Sequence, residues 1–448
     1  MIHRMIHRMI SRLSLVLLLA VPVSLASVAY AIPLAPKENK DSGGIPMEDV
    51  QRFSNAIAQI KQYYVNPVSD KELFDNAIRG MLAGLDPHSN YLNEEEFSDL
   101  QTSTSGEFGG LGIEVTMEDG LIKVITPLID APAMKAGIEA GDYIVKVDSH
   151  AVQGIDLRQA VGLMRGKIGE PVTLTVLRKG EKQPLSFKLV RENIQIKSVD
   201  TRLLDNQYGY IRLAQFQALT SQDMLTGIAK LKKESGGQLK GLVLDLRNNP
   251  GGLLDSAIQV ADAFIDKKPT DKEQLIVYTE GRLPGSRFTA VANPGDVLEN
   301  APMVVLINNG SASASEIVAG ALKDHKRAVI LGKPSFGKGS VQTVLPLDNT
   351  SGIKLTTALY YTPAGISIQA EGIKPDINID ALSMPKTAAQ NPIANFSEAD
   401  LHGHLKNTTK ISSKSKAKLK ADEKALLYDD YQLYAALTIL KSLALAKH

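Results

Sequence analysis

MVVLINNGSASASE, residues 303–316, decides the architecture. Met303–Ile307 is an unbroken apolar run, too short for a helix and stopped by Asn308-Asn309-Gly310, so it reads as a buried strand. From Ala314 to Lys323 the pattern turns helical. The stretch is therefore a strand, a tight turn and a helix, the unit from which an α/β sheet is built. Ser313 followed three residues later by Glu316 has the form of a capping box, and many helices start this way without any chemistry. The same turn would also expose a serine hydroxyl at a helix N-terminus, where N–H groups and the positive dipole end face developing negative charge. Ser311 and Ser315 stand so close that the register of such a hydroxyl stays open.

Outward from this unit, residues 196–385 keep alternating. Tyr208–Leu213, Gly241–Leu246, Met303–Ile307 and Ala328–Leu331 read as strands, and 222–233, 253–264 and 314–323 as helices. Such βα repetition implies a partly parallel sheet. Asn248-Asn249-Pro250-Gly251-Gly252 follows one of those strands and opens a helix; its glycines could form a plain tight turn or present bare amides to an oxyanion. A serine nucleophile needs a base. His325 ends the helix after Ser313 and reads as its C-terminal cap. Lys338, between Gly337 and Gly339, is the better candidate. A free lysine titrates near 10.4, and burial would lower that value by disfavouring the ammonium. Gln342, four residues on, could orient the amine without raising its pKa as a carboxylate would. Taken alone, Lys338 is an ordinary loop lysine. Gly332–Lys338 also fits G-x-x-x-x-G-K, but Gly339 stands where a phosphate loop needs Ser or Thr. The run Ser340–Leu345 then reads as a strand, not a helix.

Residues 101–195 change period. Short β-rich runs at 113–115, 122–125, 143–147, 172–176 and 186–189 alternate with glycine turns, and one helix sits at about 157–164, the pattern of a small sandwich or barrel. Residues 47–100 read as helical, with a break at Asp86-Pro87-His88. Residues 32–46 and 386–424 are polar linkers, and 425–448 form a helix whose stripe of Leu433, Leu437, Leu440 and Ala444 would pack on the body or on a second subunit.

The chain has 448 residues, enough for two or three domains. Its 50 basic and 49 acidic residues leave a net charge of +1, so no field directs it to nucleic acid. The absence of cysteine excludes disulfides, thiol nucleophiles and thiolate metal sites. Residues 1–31 read as a secretory signal peptide: His3, Arg4, His7, Arg8 and Arg12 are basic, an apolar stretch follows from Leu13, and Ala29-Tyr30-Ala31 fits a cut after Ala31. Asp41-Ser42-Gly43-Gly44 looks like a trypsin-type nucleophile loop, but no β-barrel precedes it and no histidine is placed to activate it.

Taken together, Phe108–Ile113, Asp245–Gly252, Gly310–Glu316, Phe336–Gly339 and Tyr361–Asp376 occur in the order found in the carboxyl-terminal processing (tail-specific) serine peptidases, and over residues 50–380 the chain resembles that family. The resemblance implies an α/β (α+β) multidomain fold: a crotonase-like protease core of the ClpP/crotonase type at 196–385, an inserted PDZ domain at 101–195 and terminal helices. It implies Ser313 as nucleophile, Lys338 as base and Gln342 as third residue. The Ala314 N–H would form the oxyanion hole with that of Gly251 or Gly252. Gly109, Gly110, Leu111, Gly112 and Ile113 would take a peptide tail as an added strand with its carboxylate on loop amides. No metal or organic cofactor is expected. The expected partners are proteins with apolar C-termini, an activating adaptor and a second copy of the chain, in the periplasm. Two other readings compete: a PDZ scaffold with an inactive core, and a crotonase-like enzyme acting on acyl thioesters.

Overall fold

The computed structural model describes residues 44–266, 274–283, 286–382 and 426–446. The leader, most of the first linker and the second polar linker lie outside those residues. The chain divides into two units, Met1–Leu73 and Phe74–His448. The described part of the first holds the helix Met47–Tyr63, with Glu48 and Asp49 in its first turn and Lys61 in its last, as the helix dipole favours.

In the second unit the central sheet has six strands. Their order is Val199–Leu204, Tyr208–Leu213, Gly241–Asp245, Met303–Ile307, Val329–Gly332 and Ile377–Asn378. The first pair is antiparallel and the rest are parallel. Gly241–Asp245 and Met303–Ile307 are buried at every position, which explains their unbroken apolar sequence. Alternate side chains serve opposite faces. Leu242, Leu244, Met303, Val305 and Ile307 pack under the helices Thr220–Glu234, Leu254–Asp262 and Ala314–Asp324. Val243, Val304 and Leu306 face the other way, onto Leu433, Ala436, Leu437 and Leu440 of the helix Tyr431–Ala446. The C-terminal stripe thus packs on the body of its own chain. Each of its leucines is at most 3% exposed and contributes about 1.5–3 kcal/mol. Arg247 clamps that segment, donating to both carboxylate oxygens of Asp430 at 2.9 and 2.7 Å.

A second sheet lies beside the first. Ser340–Pro346 pairs antiparallel with Gly352–Tyr361, which also pairs with Leu275–Gly281 and with Asn90–Leu92. The last pairing corrects the expectation of a purely helical 47–100. The three-residue strand Asn90–Leu92 is too short for a period to reveal it, and the following helix Glu94–Ser105 runs past residue 100. That helix carries a complete capping box between Asn93 and Glu96.

Residues 113–190 form their own sheet, in the order Ile113–Glu118, Leu121–Pro127, Tyr143–Val147, Pro171–Leu177, Leu185–Val190. The helix Leu157–Met164 falls where the sequence puts it. Ile122, Ile144, Leu174 and Val176 are wholly buried in a separate core. Among the described residues no helix is long and apolar enough to cross a membrane.

Candidate active site

Two strand-to-helix turns, Asn248–Gly252 and Asn308–Ser313, open from the C-terminal ends of adjacent parallel strands, the edge at which α/β sheets build their sites. They are stitched together. Asn248 N–H donates to Asn308 Oδ1, and Asn308 Nδ2 donates back to Asn248 Oδ1, both at 2.9 Å. The Asn249 carbonyl accepts from Ala312 N–H at 3.0 Å and from Ser315 Oγ at 2.9 Å. Ser311 Oγ donates to the Leu246 carbonyl at 2.7 Å and accepts from Asn308 N–H at 3.0 Å. Ser311 and Ser315 are both wholly buried, and both hydroxyls are committed to the backbone. Ser313 differs. It is partly exposed, and it sits at φ 54°, ψ −113°, a conformation an L-residue adopts only at a cost of about 1–3 kcal/mol. Strain of this kind lifts one hydroxyl out of the turn at the helix N-terminus.

Gly251 lies directly against that serine. A β-carbon there would stand 2.8 Å from Ser313 Cβ, and one on Gly252 would stand 2.0 Å from the Phe216 carbonyl oxygen. Both glycines have positive φ, 105° and 144°. Their amides are not equivalent. Gly251 N–H donates to Asn249 Oδ1 at 2.9 Å, closing an Asx turn. Among the described residues, the Gly252 N–H has no hydrogen-bond acceptor, and neither has that of Ala314 at the first position of the helix.

Glu316 joins this turn to the lysine loop. It is wholly buried. Its Oε2 accepts from Ser313 N–H at 2.7 Å and from Lys338 N–H at 2.9 Å. Its Oε1 accepts from Ser335 Oγ and Gly337 N–H, both at 2.6 Å. The capping half of this pattern was legible in the sequence; the grip on the lysine loop was not. Lys338 is half-buried. Burial is the main cause holding its amine below the ordinary lysine pKa, with the Lys354 charge adding to it and Glu316 and Asp86 opposing. Among the described residues, no hydrogen bond joins Lys338 Nζ to Ser313 or Gln342. Gln342 Nε2 donates instead to Ser340 Oγ at 2.8 Å and, at 3.4 Å, to Thr356 Oγ1, leaving its carbonyl oxygen uncommitted. His325 points away, its Nε2 bonded to the Leu275 carbonyl at 2.6 Å.

Two contributors escaped the sequence reading. Asp86-Pro87-His88-Ser89, read there only as a helix breaker, is an Asx turn. Asp86 accepts from His88 N–H, Ser89 N–H and, across the fold, Thr356 Oγ1 at 3.1 Å. This turn braces the strand Gly352–Tyr361, whose Thr356 lies opposite Gln342 on the next strand. The Tyr360 hydroxyl is buried beside Ser313 and Glu316.

Ahead of the 113–190 sheet, in a two-stranded sheet of their own, Gly109 and Gly110 pair with Asn193 and Glu192. Leu111 and Gly112 follow as a buried loop, and among the described residues no backbone carbonyl takes their N–H groups. Gly112 needs its φ of 67°, and a β-carbon there would meet Ala131 Cβ at 2.2 Å. Ile113 then starts an edge strand, paired on one side only, with Leu121–Pro127. No three His, Asp or Glu side chains cluster as metal ligands among the described residues.

Comparison with known proteins agrees with this arrangement. The profile of Peptidase family S41 matches residues 207–379, that of the PDZ domain 109–189, and that of the activating protease CtpB N-terminal domain 29–96. A carboxy-terminal-processing protease of Bartonella bacilliformis is 47% identical over 88% of this chain and 88% of its own. The carboxy-terminal processing protease CtpA of Bacillus subtilis is 34% identical over 80% of this chain and 75% of its own. Among solved structures, a photosystem II D1 C-terminal processing protease is 32% identical, with a TM-score of 0.43 over 74% of this chain and 91% of that one. With a buried α/β core, a PDZ domain and near-full-length similarity to such enzymes, the chain belongs to the carboxy-terminal-processing serine proteases of peptidase family S41.

Proposed function

We propose that Ser313 is the nucleophile and Lys338 the general base of an endopeptidase that takes apolar protein C-termini on its PDZ domain and works in the periplasm. One observation carries the assignment: Ser311 and Ser315 spend their hydroxyl protons on the Leu246 and Asn249 carbonyls, the partly exposed Ser313 donates to no carbonyl among the described residues, and one buried carboxylate ties its turn to the loop of a half-buried lysine. In the substrate-engaged form, neutral Lys338 takes the Ser313 proton as Oγ attacks the peptide carbonyl. The carbonyl electron pair moves onto oxygen, where the N–H groups of Ala314 and Gly252 receive it; Gly251 N–H is already spent on Asn249. Protonated Lys338 then gives its proton to the leaving amine, and water releases the acyl group. Gln342, its Nε2 held by Ser340, offers its free oxygen to orient the amine.

The N–H groups of Leu111 and Gly112 and the open edge at Ile113 support a site for a peptide's terminal carboxylate and backbone. Peptides ending in a free apolar residue are expected to be cleaved about tenfold faster than the same peptides ending in a C-terminal amide. Equal rates would remove the PDZ from substrate selection. Turnover of acyl thioesters with no peptide cleavage would overturn the peptidase mechanism itself. The periplasmic setting follows from residues 1–31. A mature protein beginning at Ile32 supports it; an intact Met1 speaks against it.

A further inference from the structure

We infer that the Tyr360 hydroxyl is a positioning group for the nucleophile, donating a hydrogen bond to Ser313 Oγ and fixing the direction from which that oxygen attacks. The inference rests on Ser313 being the nucleophile. Tyr360 lies near the end of the strand Gly352–Tyr361, and its N–H donates to the Gly339 carbonyl at 2.9 Å, one residue past Lys338. The side chain is 2% exposed and packs in the same core as Ala314 and Ile317 of the serine helix.

Its hydroxyl is buried and closes no hydrogen bond in this structure. A buried phenol without a partner is costly, so an acceptor is called for. Glu316 and Ser313 are the polar side chains that act on it. Glu316 has no room: each of its oxygens already takes two donors, which fills a carboxylate. Ser313 Oγ is the acceptor that remains. Burial, and then the Glu316 charge, raise the Tyr360 pKa well above that of an ordinary phenol, and the Ser313 contact only partly opposes them. Tyr360 therefore stays protonated, and its O–H is available to donate.

The lone pairs then divide cleanly. A serine oxygen has one proton and two lone pairs. One lone pair accepts from Tyr360. The proton points to Lys338, and the second lone pair is left to form the bond to the substrate carbonyl. During attack the Ser313 O–H bond breaks, its proton goes to Lys338 Nζ, and Tyr360 keeps its own proton throughout.

The test is Tyr360→Phe in the full chain, with kcat and KM measured on a cleaved peptide, labelling by a fluorophosphonate, and Tm. The ring and its packing are kept. Expected are a kcat lower by roughly tenfold, an unchanged KM, and a Tm close to wild type, because the ring and its packing are kept and only one hydrogen bond is lost. Wild-type kcat in Tyr360→Phe, with Ser313→Ala inactive and unlabelled, overturns the role of Tyr360 alone. Lower kcat together with a lower Tm and a higher KM also overturns it, since that is lost packing. Continued cleavage and labelling in Ser313→Ala would instead bring down the nucleophile assignment.

Discussion

Ser313→Ala is expected to reduce peptide-bond cleavage by roughly 10⁴-fold or more, the scale on which serine peptidases lose activity with their nucleophile. Its Tm should fall by no more than the loss of one hydrogen-bond acceptor costs, because the strained backbone at φ 54° and the Glu316 grip on the Ser313 N–H are left as they were. Ser311→Ala should behave the other way. It removes a buried hydroxyl that links the Leu246 carbonyl to the Asn308 N–H, so it should cost about 1–3 kcal/mol of stability while much of the activity survives. Cleavage assays and thermal melts on both variants separate the two roles. An inactive but stable Ser311→Ala beside an active Ser313→Ala would place the nucleophile two residues earlier.

Glu316→Gln should be nearly as damaging, for a different reason. The carboxylate accepts four hydrogen bonds, from the N–H of Ser313 on one side of the site and from Gly337 N–H, Lys338 N–H and Ser335 Oγ on the other, and an amide replaces one acceptor oxygen with a donor. At least one pair of N–H or O–H groups is then left facing another donor in a buried place. The expected cost is about 3 kcal/mol in stability and about 10²-fold in kcat, as the lysine loop drifts from the serine turn. The residual activity carries a signature. The Glu316 charge raises the Lys338 pKa, so its removal lowers it, and the limb on which activity rises with pH should move to lower pH. A limb that stays put or moves up would show that the carboxylate does not act on this amine.

Much of this was readable in advance because it is local. The buried strand Met303–Ile307, the turn and the helix Ala314–Asp324 follow from a short apolar run, a glycine turn and a helical period, and the helix Leu157–Met164 from its own apolar spacing. What stayed hidden is what folding brings together. Nothing in the spacing of Ser311, Ser313 and Ser315 says which hydroxyl is left for chemistry; the carbonyls to which the other two donate lie more than sixty residues upstream. Glu316 reads as a cap because its capping partner is three residues away, while Gly337 and Lys338 are 21 and 22 away. Gly251 and Gly252 look alike until Asn249 claims one amide. Asp86 meets Thr356 across 270 residues, and that contact leaves no trace in any window of sequence.

In the proposed mechanism the chemistry reduces to one amine and one alcohol. The rate at which a fluorophosphonate labels Ser313, followed between about pH 6 and pH 11 in the wild type and in Lys338→Ala, reads that pair directly. The wild type should rise along a limb whose midpoint lies below the ordinary lysine value of about 10.4, as the burial of Lys338 requires, and Lys338→Ala should lose both the limb and most of the rate. If Lys338→Ala is labelled as fast as the wild type and along the same limb, the base lies elsewhere.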